Sequence, residues 1–159
     1  MVMSDGNMRF EWLVAPCSNT LVTIIGTSGP SADLLETLQL RLEGWINIAI
    51  LKLEDIETWR QDWQASLSLT PKRLKTSPSH IEQVLAGLPR RCHLVTLDAS
   101  ADPHLIWIGS VYGHPLRVFL PTATPDEVPC MSSSRQVDEI QAAVACLLRQ
   151  TLEDIPLLP

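Results

Sequence analysis

The chain has 159 residues, of which 45% are hydrophobic and 19% charged, and its 12 basic and 18 acidic residues leave a net charge of -6. This size and composition predict one acidic globular domain with a buried core, and they exclude a disordered chain. The negative charge makes nucleic acid an unlikely partner and disfavours an anionic membrane surface.

The four cysteines lie far apart and form no C-x-x-C pair, so neither a zinc ribbon nor a thioredoxin-type redox motif is present. Four free thiols in a reducing compartment are the simplest interpretation. Residues 1–12 lack a basic segment followed by a long apolar run, and no window approaches the ~18 apolar residues of a membrane span. We therefore expect a cytoplasmic protein with no membrane partner and no cofactor.

The N-terminal part of the chain is predicted to contain a hairpin. Residues 1–7 are polar and predict a flexible tail before a single domain over 8–155, with a second short tail over 156–159. Alternating polar and apolar residues predict a strand over 9–14. The turn-forming residues that follow suggest that this strand pairs with the next one, 21–25.

The segment 21–53 carries the strongest structural signal. A continuous apolar run is followed by a Gly/Ser/Pro turn, a helical period that ends at Gly44, and a second apolar run that predicts a strand over 45–53. This order is typical of a β-α-β unit with two parallel central strands. A helix over 55–67 follows, with Trp59 and Trp63 on its apolar face.

The rest of the chain predicts further strands and two more helices. A helix begins near Ser77 and precedes a strand over 92–97. Strands over 104–111 and 115–120 are separated by a short glycine-containing connection, which favours a hairpin. After a loop over 121–132, a C-terminal amphipathic helix begins near Ser133. Together the patterns predict a single α/β domain with a mixed, partly parallel sheet of about six strands and about four helices.

The turn at 26–33 follows a strand and precedes a helix, where phosphate-binding loops lie. Backbone amides, the positive helix end and hydroxyl groups could bind an anion there, and the predicted contacts are Thr27, Ser28, Gly29 and Ser31. The turn departs from the P-loop, because Ala32 and Asp33 replace the required lysine and hydroxyl, and it does not match G-x-G-x-x-G. An ordinary strand-to-helix turn is the simpler interpretation. A degenerate nucleotide-binding-like fold is another.

No catalytic or metal-binding residues are predicted. The chain has no G-x-S-x-G elbow, and the adjacent Cys92 and His93 would point to opposite faces of a strand. The histidines lack the spacing of a metal site. His114, between Gly113 and Pro115, is interpreted as a turn residue.

The stretch 72–91 carries five basic residues and one acid within an acidic chain. Such a segment can attract an acidic protein surface or a phosphate, although basic residues also commonly solvate loops and helix ends. It lacks interleaved aromatic residues, which disfavours nucleic-acid recognition. The residues predicted to contact a partner are Lys72, Arg73, Lys75, Arg90 and Arg91.

The C-terminal helix carries an apolar seam. Its members recur at spacings of three and four: Val137, Ile140, Val144 and Leu147. The chain's own sheet is the expected cover of this seam, and the alternative is a second subunit, as in a possible homodimer.

Two hypotheses about function follow. The preferred one is a non-catalytic protein-binding module, such as an adaptor, regulatory subunit, chaperone or assembly factor, which acts through an apolar helical face and the basic segment. The alternative is a small enzyme or sensor that binds a phosphate or nucleotide ligand at the 26–33 turn.

Overall fold

The computed structural model describes residues 2–5, 8–29, 31–68, 77–98, 104–119 and 129–153. Strands and helices alternate through most of the chain. In order they are β1 (Val2–Asp5), β2 (Met8–Val14), β3 (Val22–Thr27), α1 (Ala32–Arg41), β4 (Ile48–Leu53), α2 (Ile56–Leu67), α3 (His80–Leu85), β5 (His93–Leu97), a 3-10 helix (Ile106–Ser110), β6 (Leu116–Phe119) and α4 (Pro129–Glu153).

The strands form one mixed sheet in the order β1-β2-β4-β3-β5-β6. β4, β3, β5 and β6 run parallel to one another, whereas β2 is antiparallel to both β1 and β4. The predicted single α/β domain with a partly parallel sheet is confirmed, and so is the β-α-β unit of β3, α1 and β4.

Helices cover both faces of the sheet. α1 and α4 cover one face, where Ile24, Ile50 and Val95 point into the core. α2, α3 and the 3-10 helix cover the other face, where Ile25 and Leu51 are buried. Because successive residues of a strand point to opposite faces, the two-sided apolar runs of β3 and β4 supply both cores.

Both predicted strand pairings outside the β-α-β unit are wrong. β2 pairs with β4 rather than with β3, and the N-terminal hairpin joins it to β1, which lies within the predicted tail. Residues 104–111 contain a 3-10 helix, and β6 is parallel to β5. Leu105, Ile108 and Val111 are buried at intervals of three, the period of a 3-10 helix, whereas a strand would alternate.

Three predicted element starts also change. The strand predicted from residue 45 begins at Ile48, and Ile46 is 75% exposed. α3 begins at His80 rather than near Ser77, because Ser79 caps it. α4 begins at Pro129, ahead of the predicted start near Ser133. The predicted tail over 156–159 and most of the predicted loop over 121–132 lie outside the described residues.

Candidate functional site

The predicted anion-binding turn lies at the carboxyl edge of the parallel strands. β3 leads through α1 to β4 on one side, whereas the chain reaches β5, on the other side of β3, only after α2 and α3. The turn after β3 therefore lies where the connections diverge, which is the usual ligand crevice of open α/β sheets.

The hydrogen bonds within this turn do not favour an anion. The Ser28 amide donates to the Leu53 carbonyl at 2.9 Å, and the Ala32 amide donates to the Gly29 carbonyl at 2.9 Å. These amides would be needed to bind a phosphate. Asp33 adds a carboxylate to the first turn of α1. The anion site stays a prediction, with Thr27, Ser28, Gly29 and Ser31 as its contacts. The bonded amides and the Asp33 carboxylate both count against it.

Gly26 has a packing role in the same turn. A Cβ atom built at this position would lie 2.8 Å from Cδ1 of Leu35, on α1. The glycine therefore lets β3 and α1 approach closely, and this explains its presence without any ligand.

The residues predicted to contact a partner fall into three groups. Lys72, Arg73 and Lys75 lie outside the described residues, whereas Arg90 and Arg91 are exposed in the turn before β5. The four seam residues of α4 are at most 8% exposed and pack against the sheet and α1: Val137, Ile140, Val144 and Leu147. The chain's own core covers this seam, so its side chains are not available to a second subunit.

Cys92 is unsuited to nucleophilic catalysis. Its thiol is buried, and Sγ lies 3.2 Å from Oγ1 of Thr23. Burial raises the pKa of the Cys92 thiol to about 11, so the reactive thiolate is scarce at neutral pH.

Neither metal ligands nor a membrane-crossing helix is found in the part of the chain that the structure describes. Within these ranges, no three His, Cys, Asp or Glu side chains group closely enough to bind a metal ion. No helix there combines the length and apolar character needed to cross a membrane.

The apolar face of α2 is covered along only part of its length. Trp59 is 1% exposed and contacts Phe10 edge to face, with ring centroids 5.9 Å apart. One turn later, Trp63 stacks on Trp107 of the 3-10 helix, with centroids 5.4 Å apart and planes inclined by 29°. Leu67 follows Trp63 by one helical turn and Ile106 directly precedes Trp107, and these two side chains are 60% and 55% exposed. We call Trp63, Leu67, Ile106 and Trp107 the tryptophan patch.

A cavity of about 380 Å³ opens at the opposite, amino edge of the parallel strands. It lies between the end of α3, the turn before β5 and the turn before β6. The residues that line it, within the described part of the chain, are Leu85, Ala86, Leu88, Arg90, Tyr112 and His114. We call this space the amino-edge cavity.

Sequence reasoning selected Arg90 as a partner contact, but it missed Tyr112 and His114 of this cavity and half of the tryptophan patch. His114 was predicted as a turn residue, and Trp107 was placed in a strand. Tyr112 precedes a glycine, and this pair is typical of an ordinary turn. The sequence therefore did not indicate that Tyr112 lines a cavity. The convergence of these side chains follows from the parallel pairing of β5 and β6.

Comparison of the chain with protein-family models, with curated proteins and with solved structures finds no match.

Proposed function

We propose that this protein is a non-catalytic protein-binding module that acts through the tryptophan patch. The observation that carries the proposal is the half-buried stacked pair of Trp63 and Trp107, together with the exposed side chains of Leu67, one helical turn after Trp63, and of Ile106, directly before Trp107. Contiguous apolar surface on a soluble protein commonly marks an interaction site, and tryptophan is enriched among the residues that dominate binding energy.

The patch rests on firmly anchored elements. Trp59 lies in the core below α2, and Asp62 accepts a hydrogen bond from the backbone amide of His80 at 2.8 Å, which ties α2 to α3. Stacking restricts both indole rings before any partner arrives. A preordered surface loses little conformational entropy on binding, which favours affinity.

The proposed partner is a protein with an apolar helix or groove bordered by acidic residues. The sequence has three basic residues, Lys72, Arg73 and Lys75, soon after Leu67, and basic residues favour an acidic partner. An adaptor, regulatory subunit, chaperone or assembly factor fits this description, and a second copy of the chain is one form of partner. The free thiols of Cys17, Cys92 and Cys146 support a cytoplasmic location.

The test is a pull-down from the native cell with the double variant Leu67→Ser, Ile106→Ser. Both side chains are exposed, so the fold should tolerate the changes. We expect the variant to bind the partner that the parent chain retains at least about tenfold more weakly, because burying each of these two apolar side chains on binding contributes about 1.5–3 kcal/mol.

Leu40→Ser provides the matched control, since Leu40 is 74% exposed on α1, away from the patch. Equal losses for the patch variant and the control would contradict the proposal. So would a parent chain that is strictly monomeric by light scattering and retains no partner.

The alternative function, binding of a phosphate or nucleotide ligand at the 26–33 turn, is supported by the position of the turn at the carboxyl edge of the sheet. The Ser28 and Ala32 amides, already bonded within the chain, count against it. A thermal-shift panel of nucleotides and sugar phosphates separates the two, because a ligand at 100 times its Kd stabilises a protein by about 2.7 kcal/mol. No shift across the panel would exclude the alternative.

A further inference from the structure

The described lining of the amino-edge cavity combines an apolar floor with three polar side chains. Leu85, Ala86 and Leu88 provide the floor, at the end of α3 and just after it. Arg90, Tyr112 and His114 reach the cavity from two different turns. Its volume of about 380 Å³ falls within the range of pockets that enclose small organic ligands.

His114 is positioned by its own hydrogen bond. The side chain is 4% exposed, and Nδ1 lies 3.2 Å from the backbone carbonyl oxygen of Cys92. A carbonyl oxygen only accepts, so Nδ1 carries the proton, and in the neutral ring Nε2 is left as a hydrogen-bond acceptor. Among the described residues, no group of the protein hydrogen-bonds to Nε2.

The backbone around this histidine is firmly bonded. The Cys92 amide donates to the Pro89 carbonyl, and the Leu94 amide donates to the Pro115 carbonyl, both at 2.8 Å. These bonds fix the turn before β5 against the turn before β6. The imidazole is therefore oriented by the sheet rather than by a mobile loop.

Tyr112 has a backbone conformation that is unusual for a residue with a side chain. Its φ is +56°, and that of Gly113 is +66°, so two successive residues lie in the left-handed region. Such strain persists where the surrounding structure imposes it, and it is common at ligand sites. Here it places the phenol ring at the rim of the cavity, 54% exposed.

Among the described residues that line the cavity, the charge has one sign. None of the six described lining residues is acidic, and Arg90 contributes a guanidinium group. The planar donor fork of arginine matches the paired oxygens of a carboxylate or a phosphate. The apolar floor requires that such an anion also carry an apolar body.

We infer that the amino-edge cavity is a binding site for a small organic anion with an apolar body. The anionic group pairs with Arg90 and accepts a hydrogen bond from the Tyr112 hydroxyl, while the body packs on Leu85 and Leu88. A hydroxyl or amide of the ligand donates to Nε2 of His114. This site is independent of the tryptophan patch.

The test is calorimetric titration of the full chain with benzoate, 4-hydroxybenzoate and phenyl phosphate, and with benzamide as the neutral control. We expect an anion to bind and benzamide to bind much more weakly. Comparing the affinities of benzoate and phenyl phosphate distinguishes a carboxylate site from a phosphate site. Comparing the affinities of 4-hydroxybenzoate and benzoate tests the hydroxyl contact with His114.

Arg90→Gln and Arg91→Gln form the matched pair of variants. Both residues are exposed in the same turn and carry the same charge, but Arg91 does not line the cavity. We expect Arg90→Gln to weaken anion binding by about tenfold or more, because the variant loses a charge-assisted hydrogen bond. Arg91→Gln should leave binding nearly unchanged. Tyr112→Phe, which keeps the ring, should weaken binding to a smaller extent.

Three outcomes would overturn the inference. The first is no binding by any of the three anions at millimolar concentration. The second is equal binding of benzamide and benzoate. The third is equal loss of binding in Arg90→Gln and Arg91→Gln, which would indicate a diffuse charge effect.

Discussion

Gly26, at the end of β3, lets this strand and α1 approach closely. Replacing it by alanine places Cβ 2.8 Å from Cδ1 of Leu35, so the leucine side chain must move within a packed core. We expect Gly26→Ala to lower the free energy of unfolding by about 1–3 kcal/mol, measured by denaturant titration.

The control for this change is Gly87→Ala, where the added Cβ would meet no atom within 4 Å. Alanine restricts the unfolded chain, so this variant should be neutral or more stable by up to about 1 kcal/mol. Equal destabilisation by the two substitutions would show that the contact with Leu35 is not what requires glycine at position 26.

Because of Cys92, the free energy of unfolding should fall as the pH rises into the alkaline range. Burial raises the pKa of its thiol from 9.0 to about 11. The folded state therefore binds this proton more tightly than the unfolded state, and the resulting stabilisation is complete below pH 9 and is lost as the pH rises toward 11. Two pKa units correspond to a loss on the order of 3 kcal/mol.

Urea unfolding of the parent chain and of Cys92→Ala across this pH range measures the effect. Cys92→Ala has no thiol at this position, so its stability should decline less steeply with pH, whatever its stability at pH 8. Parallel pH curves for the two proteins would contradict the assignment to Cys92.

At the scale of elements, α3 depends on its cap. A six-residue helix is not stable alone, and Ser79 and Glu82 form a capping box in which the Ser79 amide donates to Oε2 of Glu82 at 2.7 Å. We expect Ser79→Ala to cost about 1 kcal/mol of stability and to increase hydrogen exchange over His80–Leu85.

Ser77 offers the comparison, since it is exposed and lies before the cap. Ser77→Ala should change stability by less than about 0.5 kcal/mol. A similar cost for both serines would remove the capping box as the explanation.

The seam of α4 belongs to the core of this chain. Ile140 is fully buried among the sheet and α1, so Ile140→Ala should lower the free energy of unfolding by about 2–5 kcal/mol. Gln150 lies on the exposed side of the same helix, and Gln150→Ala should lower it by less than about 0.5 kcal/mol. Denaturant titration with light scattering checks both. A small loss of stability accompanied by a changed oligomeric state would instead indicate that the seam contacts another subunit.

At the scale of the whole molecule, the two cores share one sheet. Ile24 and Ile25 are neighbours on β3, yet they belong to opposite cores, so neither core can lose its packing without disturbing β3. We expect two-state unfolding even in Ile140→Ala, which weakens only the α1 and α4 side.

Tryptophan fluorescence and far-ultraviolet circular dichroism test this cooperativity. Trp59 lies in the core opposite Ile140, and Trp12, Trp63 and Trp107 pack against that core. Trp45 packs against the core that contains Ile140, so fluorescence is weighted toward the opposite core, whereas circular dichroism reports on all helices and strands. The two transitions should coincide in the variant. Separate midpoints would show that the layers unfold independently.

Much of the fold was predictable because its signals are local. The continuous apolar runs of β3 and β4, and the helical period between them, are complete within 21–53 and need no distant residue to be interpreted. Other elements were less predictable, namely the starts of α3 and α4 and the 3-10 helix at Ile106–Ser110. At these places the same few residues can form more than one kind of turn.

The sequence by itself determined the α/β class, the β-α-β unit and the apolar faces of its helices, because periodicity and turn chemistry act over about ten residues. Only the tertiary structure decided that β2 pairs with β4, that the sheet and α1 cover the α4 seam, and that Trp63 meets Trp107. It also brought Arg90, Tyr112 and His114 around one cavity. Pairing and burial depend on residues that are distant in the chain, and no local pattern encodes which of them will meet.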